Sequence, residues 1–164
     1  MLNLQDLIRQ LTSNAVAIRA LAQTFSDEQA QWKPSPESWS LKEVLEHLYN
    51  EERGDFRRHL KGMFEGPQPP PGHISVEDSR QALEGFLAER EASVDWLSAL
   101  GSPDWEVTTT LRFGPSETMT LSAGDMLVSW VEHDILHLRQ MVELMHGWNE
   151  KRASPYAVQY AGGW

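Results

Sequence analysis

An all-α protein, an antiparallel four-helix bundle with a long crossover connection and a short extended or hairpin segment before its last helix, is the fold this sequence predicts. Three observations predict it. Apolar residues recur at steps of three and four over four long stretches, Ser-x-x-Glu or Ser-x-x-Asp caps open three of them, and clusters of Pro and Gly separate one from the next.

Leu4, Leu7, Ile8, Leu11, Ala15, Ile18, Leu21, Ala22 and Phe25 line one face of a first helix, over about residues 3 to 24. Ser26-Asp27-Glu28-Gln29 opens a short turn. Trp32-Lys33-Pro34-Ser35-Pro36-Glu37 reads as a rigid loop, because each Pro lacks an N–H donor and restricts its predecessor. Ser40 and Glu43 make a capping box, the hydroxyl taking the N3 amide while the carboxylate reaches back, ahead of a second helix over about residues 41 to 64. Residues 66–72 hold Pro67, Pro69, Pro70 and Pro71, a polyproline spacer that crosses the surface instead of packing. Ser75 with Asp78 repeats the cap pattern, and Ala82, Leu83, Phe86, Leu87, Val94, Leu97 and Leu100 carry a third helix to Gly101-Ser102-Pro103.

Then the period changes. Trp105, Val107, Thr109, Leu111 and Phe113 alternate, Gly114-Pro115 turns the chain, and residues 118–121 return as a second strand. Ser122 and Asp125 cap the last helix, which takes Met126, Leu127, Trp130, Val131, Leu138, Met141, Val142 and Met145 up to a stop at Gly147. The bundle is expected over residues 1–148, with a C-terminal tail over residues 149–164.

Composition bounds the function. A chain of 164 residues is one domain, and no stretch reaches the roughly 18 apolar residues of a membrane span. Lys and Arg number 14 against 24 Asp and Glu, and the resulting −10 repels polyphosphate and anionic lipid, so neither nucleic acid nor a membrane surface is an expected partner. No Cys is present, which removes thiolate nucleophiles and Cys-ligated zinc together. Any metal chemistry falls to His and carboxylates. The start MLNLQDLIRQ lacks the basic and apolar regions of a signal peptide, so the cytoplasm is the expected location. Seven Trp are many for one small core, and aromatic enrichment at interfaces makes a homodimer the expected assembly.

Six His remain to be placed. At 100° per residue, with Met126 at 0°, His133 falls at about −20° and His137 at about 20°, stacked one turn apart on the inner side of the last helix. That spacing recurs in helical zinc sites, but two hydrogen-bonded core histidines would show it too. On the second helix, with Val44 at 0°, His47 lies at about −60° and Glu51 at about −20°, both able to face a neighbouring helix. His47 would complete three protein ligands with an open position for water, the count of a catalytic zinc site. Glu51 is then a fourth ligand, a partner for an imidazole N–H, or a surface acid.

Asp134 lies at about 80°, inside the apolar stripe, where an unpaired carboxylate is costly. It either orients a His or pairs with an Arg such as Arg19 or Arg90. His59, His73 and His146 read as bystanders, and Arg53, Arg57 and Arg58 either draw in an anionic substrate or are simply solvated. No Ser-His-Asp order or phosphate-cradling Gly loop points to another chemistry.

Trp32-Lys33-Pro34, then residues 37–48 reading ESWSLKEVLEHL, and much later residues 133–140 reading HDILHLRQ, resemble the DinB/YfiT-like superfamily of metalloenzymes over nearly the whole chain. The resemblance implies a four-helix bundle, often dimeric, holding a divalent metal, zinc or nickel, on His47, His133 and His137. It also implies one of several functions: thiol-dependent S-transferase or isomerase chemistry with a low-molecular-weight thiol, metal-dependent hydrolysis, or a stress-response role in binding a metal or ligand without catalysis. Thiol transfer stands slightly ahead of hydrolysis at this stage. Glu51 and Asp134 are the candidates to support the three ligands.

Overall fold

Asn3 caps the first helix, α1 (Leu4–Ala22), its side-chain oxygen accepting from the Asp6 N–H. The computed structural model describes residues 3–162. After α1 come a one-turn helix, α2 (Asp27–Gln31), and α3 (Leu41–Glu51), each opened by a reciprocal capping box, Ser26 with Gln29 and Ser40 with Glu43. The expected second helix is continuous but not regular. A π-helical turn over Glu52–Phe56 joins α3 to α4 (Arg57–Glu65), and Gly66 ends it with a φ of 96°, a conformation that favours glycine.

The third long helix, α5 (Ser79–Ala99), begins later than Ser75 would place it. Asp78 is itself the N-cap and accepts from the Gln81 N–H. The predicted hairpin is present as β1 (Thr108–Phe113) and β2 (Glu117–Ser122), antiparallel with Thr110 opposite Thr120. Ser122 and Asp125 box the start of α6 (Ala123–Ala153), which does not stop at Gly147 but runs two turns further. Gly147 has a different reason to be glycine: a Cβ there would lie 3.1 Å from the Trp32 ring, which packs edge-on against Trp148. A short 3-10 turn, Gln159–Ala161, follows; Gly163 and Trp164, the end of the expected tail, lie outside the described residues.

In cross-section the order is α1, α5, α3, α6, so α1 and α3 occupy opposite corners. Buried apolar residues form two clusters stacked along the bundle. One gathers Ile18, Val44, Leu45, Phe86 and Met141; the other gathers Leu11, Phe56, Leu60, Leu97, Leu127 and Trp130. Chain order through these clusters shows that α1 and α6 run one way and α3–α4 and α5 the other. The crossover over residues 66–78 makes this possible by carrying the chain back to the end where α3 began.

That crossover is fastened, contrary to the expectation that it would not pack. Asn50 exchanges two hydrogen bonds of 2.8 Å with the backbone of Ile74, and Val76 is buried. The arginines follow the same logic. Arg57 holds the Glu89 carboxylate and carbonyl, Arg53 donates to the Gly72 carbonyl, and Arg58 to those of Gly54 and Gln68, so they brace α5 and the crossover. Among the tryptophans, Trp130 and Trp148 are buried and Trp32, Trp96 and Trp105 pack against the two clusters, while Trp39 stays 41% exposed. Among the described residues, no helix is long and apolar enough to cross a membrane.

Candidate metal centre

Between the two apolar clusters four buried polar side chains join into one network: Asn14 from α1, Glu52 from the π turn, Arg90 from α5 and Asp134 from α6. Arg90 donates through Nε and one terminal nitrogen to both Glu52 oxygens, 2.8 Å each, and through its terminal nitrogens to both Asp134 oxygens at 2.6 and 2.9 Å. Asn14 donates to Asp134 at 3.2 Å, and the Trp130 indole donates to Glu52 at 2.9 Å. Two carboxylates around the guanidinium hold it charged, its pKa raised further still, while burial pushes the Asp134 carboxyl up against the opposing pull of Arg90. Asp134 is therefore an ion-pair residue, its partner is Arg90 and not Arg19, and its hydrogen bonds go to the girdle and not to an imidazole.

This girdle fixes α6 at Asp134, one residue from His133, and the end of α3 at Glu52, five residues beyond His47. His47 from α3 meets His133 and His137 from α6, with Nε2 to Nε2 distances of 3.2 Å for His47–His133 and 3.1 Å for His133–His137. All three ligand atoms lie within 4.8 Å of one another, and this is the convergent His and carboxylate group found among the described residues. Three nitrogens each about 2.0–2.1 Å from one ion at tetrahedral angles would sit roughly 3.3 Å apart; the His47–His133 and His133–His137 separations match that, and the whole group lies within 4.8 Å, placed to converge on a single cation.

The electrostatics fit as well. Burial, and next the charge of neighbouring imidazoles, hold His47 down at about 4 and His133 at about 3; burial lowers His137 too, against a hydrogen bond to Gln140 that raises it. All three are neutral at pH 7. His137 Nδ1 donates to Gln140 Oε1 at 2.8 Å, which leaves Nε2 as the bare nitrogen. A single N–H on His133 Nε2 can serve only one of its two close neighbours, so a nitrogen lone pair is left facing another nitrogen. A cation resolves that conflict.

Glu51 stands behind His47, its Oε1 3.9 Å from Nδ1, on the side away from the convergent nitrogens. Burial and then Asp55, by its charge and a hydrogen bond, push the Glu51 carboxyl up to about 7. At 3.9 Å the Glu51 oxygen is beyond hydrogen-bond distance of His47 Nδ1 and outside the convergent group.

A family model of the DinB superfamily matches residues 10–141. The chain belongs to the DinB superfamily. Among solved structures it is similar to YfiT from Bacillus subtilis, described as "a probable metal-dependent hydrolase with an unusual four-helix bundle topology", at a TM-score of 0.71 and 15% identity over 89% of this chain and 87% of that one. It is also similar to a DinB-like protein from Bacillus cereus, at 0.65 and 18% over 88% and 92%. No protein of curated function matches it by sequence.

This DinB-superfamily site opens on one side. An open cleft of about 490 Å³ adjoins His137 and is lined by Pro34, Glu37, Ser38, Trp39, Gln140, Glu143 and Leu144. The Trp39 indole lies parallel to the His137 ring at 6.2 Å and tilted against His47 at 5.0 Å, while Phe56 flanks His133 at 5.1 Å. Sequence reasoning assigned no role to Glu52, Gln140 or Trp39. Glu52 was discoverable, since Leu48, Glu52, Phe56 and Leu60 form a four-step ladder that a lone carboxylate interrupts, and Gln140 sits one turn beyond His137.

Proposed function

We propose that this DinB-superfamily chain is a divalent-metal-dependent enzyme whose His47, His133 and His137 hold the ion and leave one face open to the cleft beside Trp39. The observation that carries this reading is the convergence of three Nε2 atoms within 4.8 Å, two of their separations at the spacing one ion requires, with no carboxylate in the convergent group. A fourth protein ligand would close the position and favour a binding protein without turnover; Glu51 faces the wrong nitrogen of His47 to supply it. Zn²⁺ and Ni²⁺ both suit an all-imidazole set.

A divalent cation on three uncharged ligands supplies Lewis acidity that brings the ionisation of a water or a thiol close to neutral pH. The chain's own part is to hold the imidazoles deprotonated by burial, to fix the His137 tautomer through Gln140, and to keep a proton on the Glu51–Asp55 pair beside His47. Water is the preferred nucleophile. The description of YfiT as a hydrolase supports it, as does the cleft, which offers no Lys or Arg for the carboxylates of a low-molecular-weight thiol. Thiol-dependent S-transfer is the second reading.

Elemental analysis of the purified protein is expected to show one divalent metal per chain, and His137→Ala to lose it. Retention of stoichiometric metal by that variant overturns the assignment. Screening the loaded protein against ester and amide substrates, with and without added thiol, separates the two reactions.

A further inference from the structure

We infer that the substrate of this centre carries a flat apolar group and no negative charge, the group lying against Trp39 while the reacting end reaches the three histidines. The inference rests on the metal-centre reading and adds to it the class of molecule admitted. Its basis is the wall of the cleft. Trp39 is 41% exposed although its indole lies parallel to the His137 ring at 6.2 Å, so it presents a flat aromatic surface beside a ligand ring, and Pro34 and Leu144 line the same cleft. An exposed indole held at an open mouth offers stacking area at low conformational cost.

Charge decides the rest. The two ionisable side chains lining the cleft besides His137 are both acids, Glu37 and Glu143. Nearby cations are engaged: Arg139 pairs with Glu143 at 3.2 Å, and Lys33 with Glu43 at 2.7 Å. The arginines that an anionic substrate would need, Arg53, Arg57 and Arg58, are bound to α5 and the crossover. At the outer end of the cleft, away from the ion, a carboxylate would meet Glu37 and Glu143 and find no Lys or Arg in the lining, the nearby Arg139 being already paired to Glu143, on a chain that carries −10 overall.

Hydroxamates test this because their chelating end is constant while the body varies. By isothermal titration of the metal-loaded protein, benzohydroxamate is expected to bind about 10-fold or more tighter than 4-carboxybenzohydroxamate, and Trp39→Ala to weaken benzohydroxamate about 10-fold while acetohydroxamate and metal content stay unchanged. Glu37→Gln with Glu143→Gln should narrow the gap between the aromatic pair. Equal or tighter binding of the carboxylate, or equal weakening of acetohydroxamate by Trp39→Ala, overturns the inference while leaving the metal centre intact. A second arm needs no metal. In stripped protein 2-naphthylmethylamine is expected to shift the Trp39 indole N–H resonance and 2-naphthoate to leave it unmoved; the reverse order overturns the inference even if elemental analysis has already removed the metal reading.

Discussion

Two polar clusters sit side by side in the bundle and are built from adjacent residues, Glu51 and Glu52 on one strand of the chain, His133 and Asp134 on the other. Glu52 and Asp134, 2% and 0% exposed, turn inward and every charged oxygen finds a donor on Arg90, Asn14 or Trp130. His133 turns outward with His47 and His137, half-buried, and their Nε2 atoms crowd one another. A step of about 100° along a helix thus separates a cluster whose pairing is complete from one whose lone pairs remain available. The first holds the helices in register; the second is where a ligand gains most by binding.

The largest expected effect comes from breaking the complete cluster. Arg90→Met strands two buried carboxylates, and urea denaturation should show a loss of about 3–5 kcal/mol. Replacing Glu52, Arg90 and Asp134 together by apolar residues of similar size should recover most of it, since burying the charges cost about as much as their attraction returned. A triple variant as unstable as the single one would mean that the girdle supplies more than charge balance.

Breaking the open cluster should do the opposite to stability. Removing one imidazole of three should weaken metal binding by about 100- to 1,000-fold, if the roughly 10–16 kcal/mol of a four-ligand zinc site is shared equally among its ligands. Yet His133→Ala should leave the metal-free protein within about 1 kcal/mol of its parent, because it relieves both close nitrogen contacts. Equilibrium dialysis and thermal unfolding of the stripped protein check the two halves.

The same contrast explains what the sequence disclosed. Helical period, the capping boxes and the proline clusters were enough to place four long helices, the hairpin and the three histidines, because each is a local pattern. Asp134 betrayed itself as a charge in an apolar stripe. Glu52 is the weaker signal, although it interrupts the ladder of Leu48, Phe56 and Leu60, because it follows Glu51 in an acid-rich helix and the π turn over Glu52–Phe56 shifts the helical wheel there. Gly147 misled for a related reason: its cause is the Trp32 ring, 115 positions away in sequence, and not the end of its own helix. What stayed hidden were long-range contacts.

Gln140 tests the outer support of the open cluster. Its Oε1 fixes His137 with the hydrogen on Nδ1, and Gln140→Leu should lower metal affinity about 10- to 100-fold with little change in fold stability. Gln140→Glu, which keeps the acceptor, should restore most of it.

The smallest effect is the most discriminating: the count of protons released on metal uptake at pH 6. Three ordinary imidazoles, with a pKa of about 6.5, would carry roughly two protons between them at that pH and release them to the metal. Here burial and mutual repulsion hold His47 at about 4 and His133 at about 3, so those two imidazoles are already bare at that pH, and burial lowers His137 in the same direction. Glu51, raised to about 7, is the group beside them that still holds a proton, and a nearby cation favours its ionised form. Calorimetry in buffers of different ionisation enthalpy should therefore find fewer than two protons released, and about one fewer in Glu51→Gln than in the parent. The sign extends to stability. His47 and His133 have depressed values in the fold, so the metal-free protein should keep its full stability above about pH 6.5 and lose it as the pH falls towards 4 and then 3, where the fold must accept charge among crowded imidazoles. Release of two protons at pH 6 would mean that the histidines are solvated and ordinary, and the difference between the two clusters would then lie in burial alone.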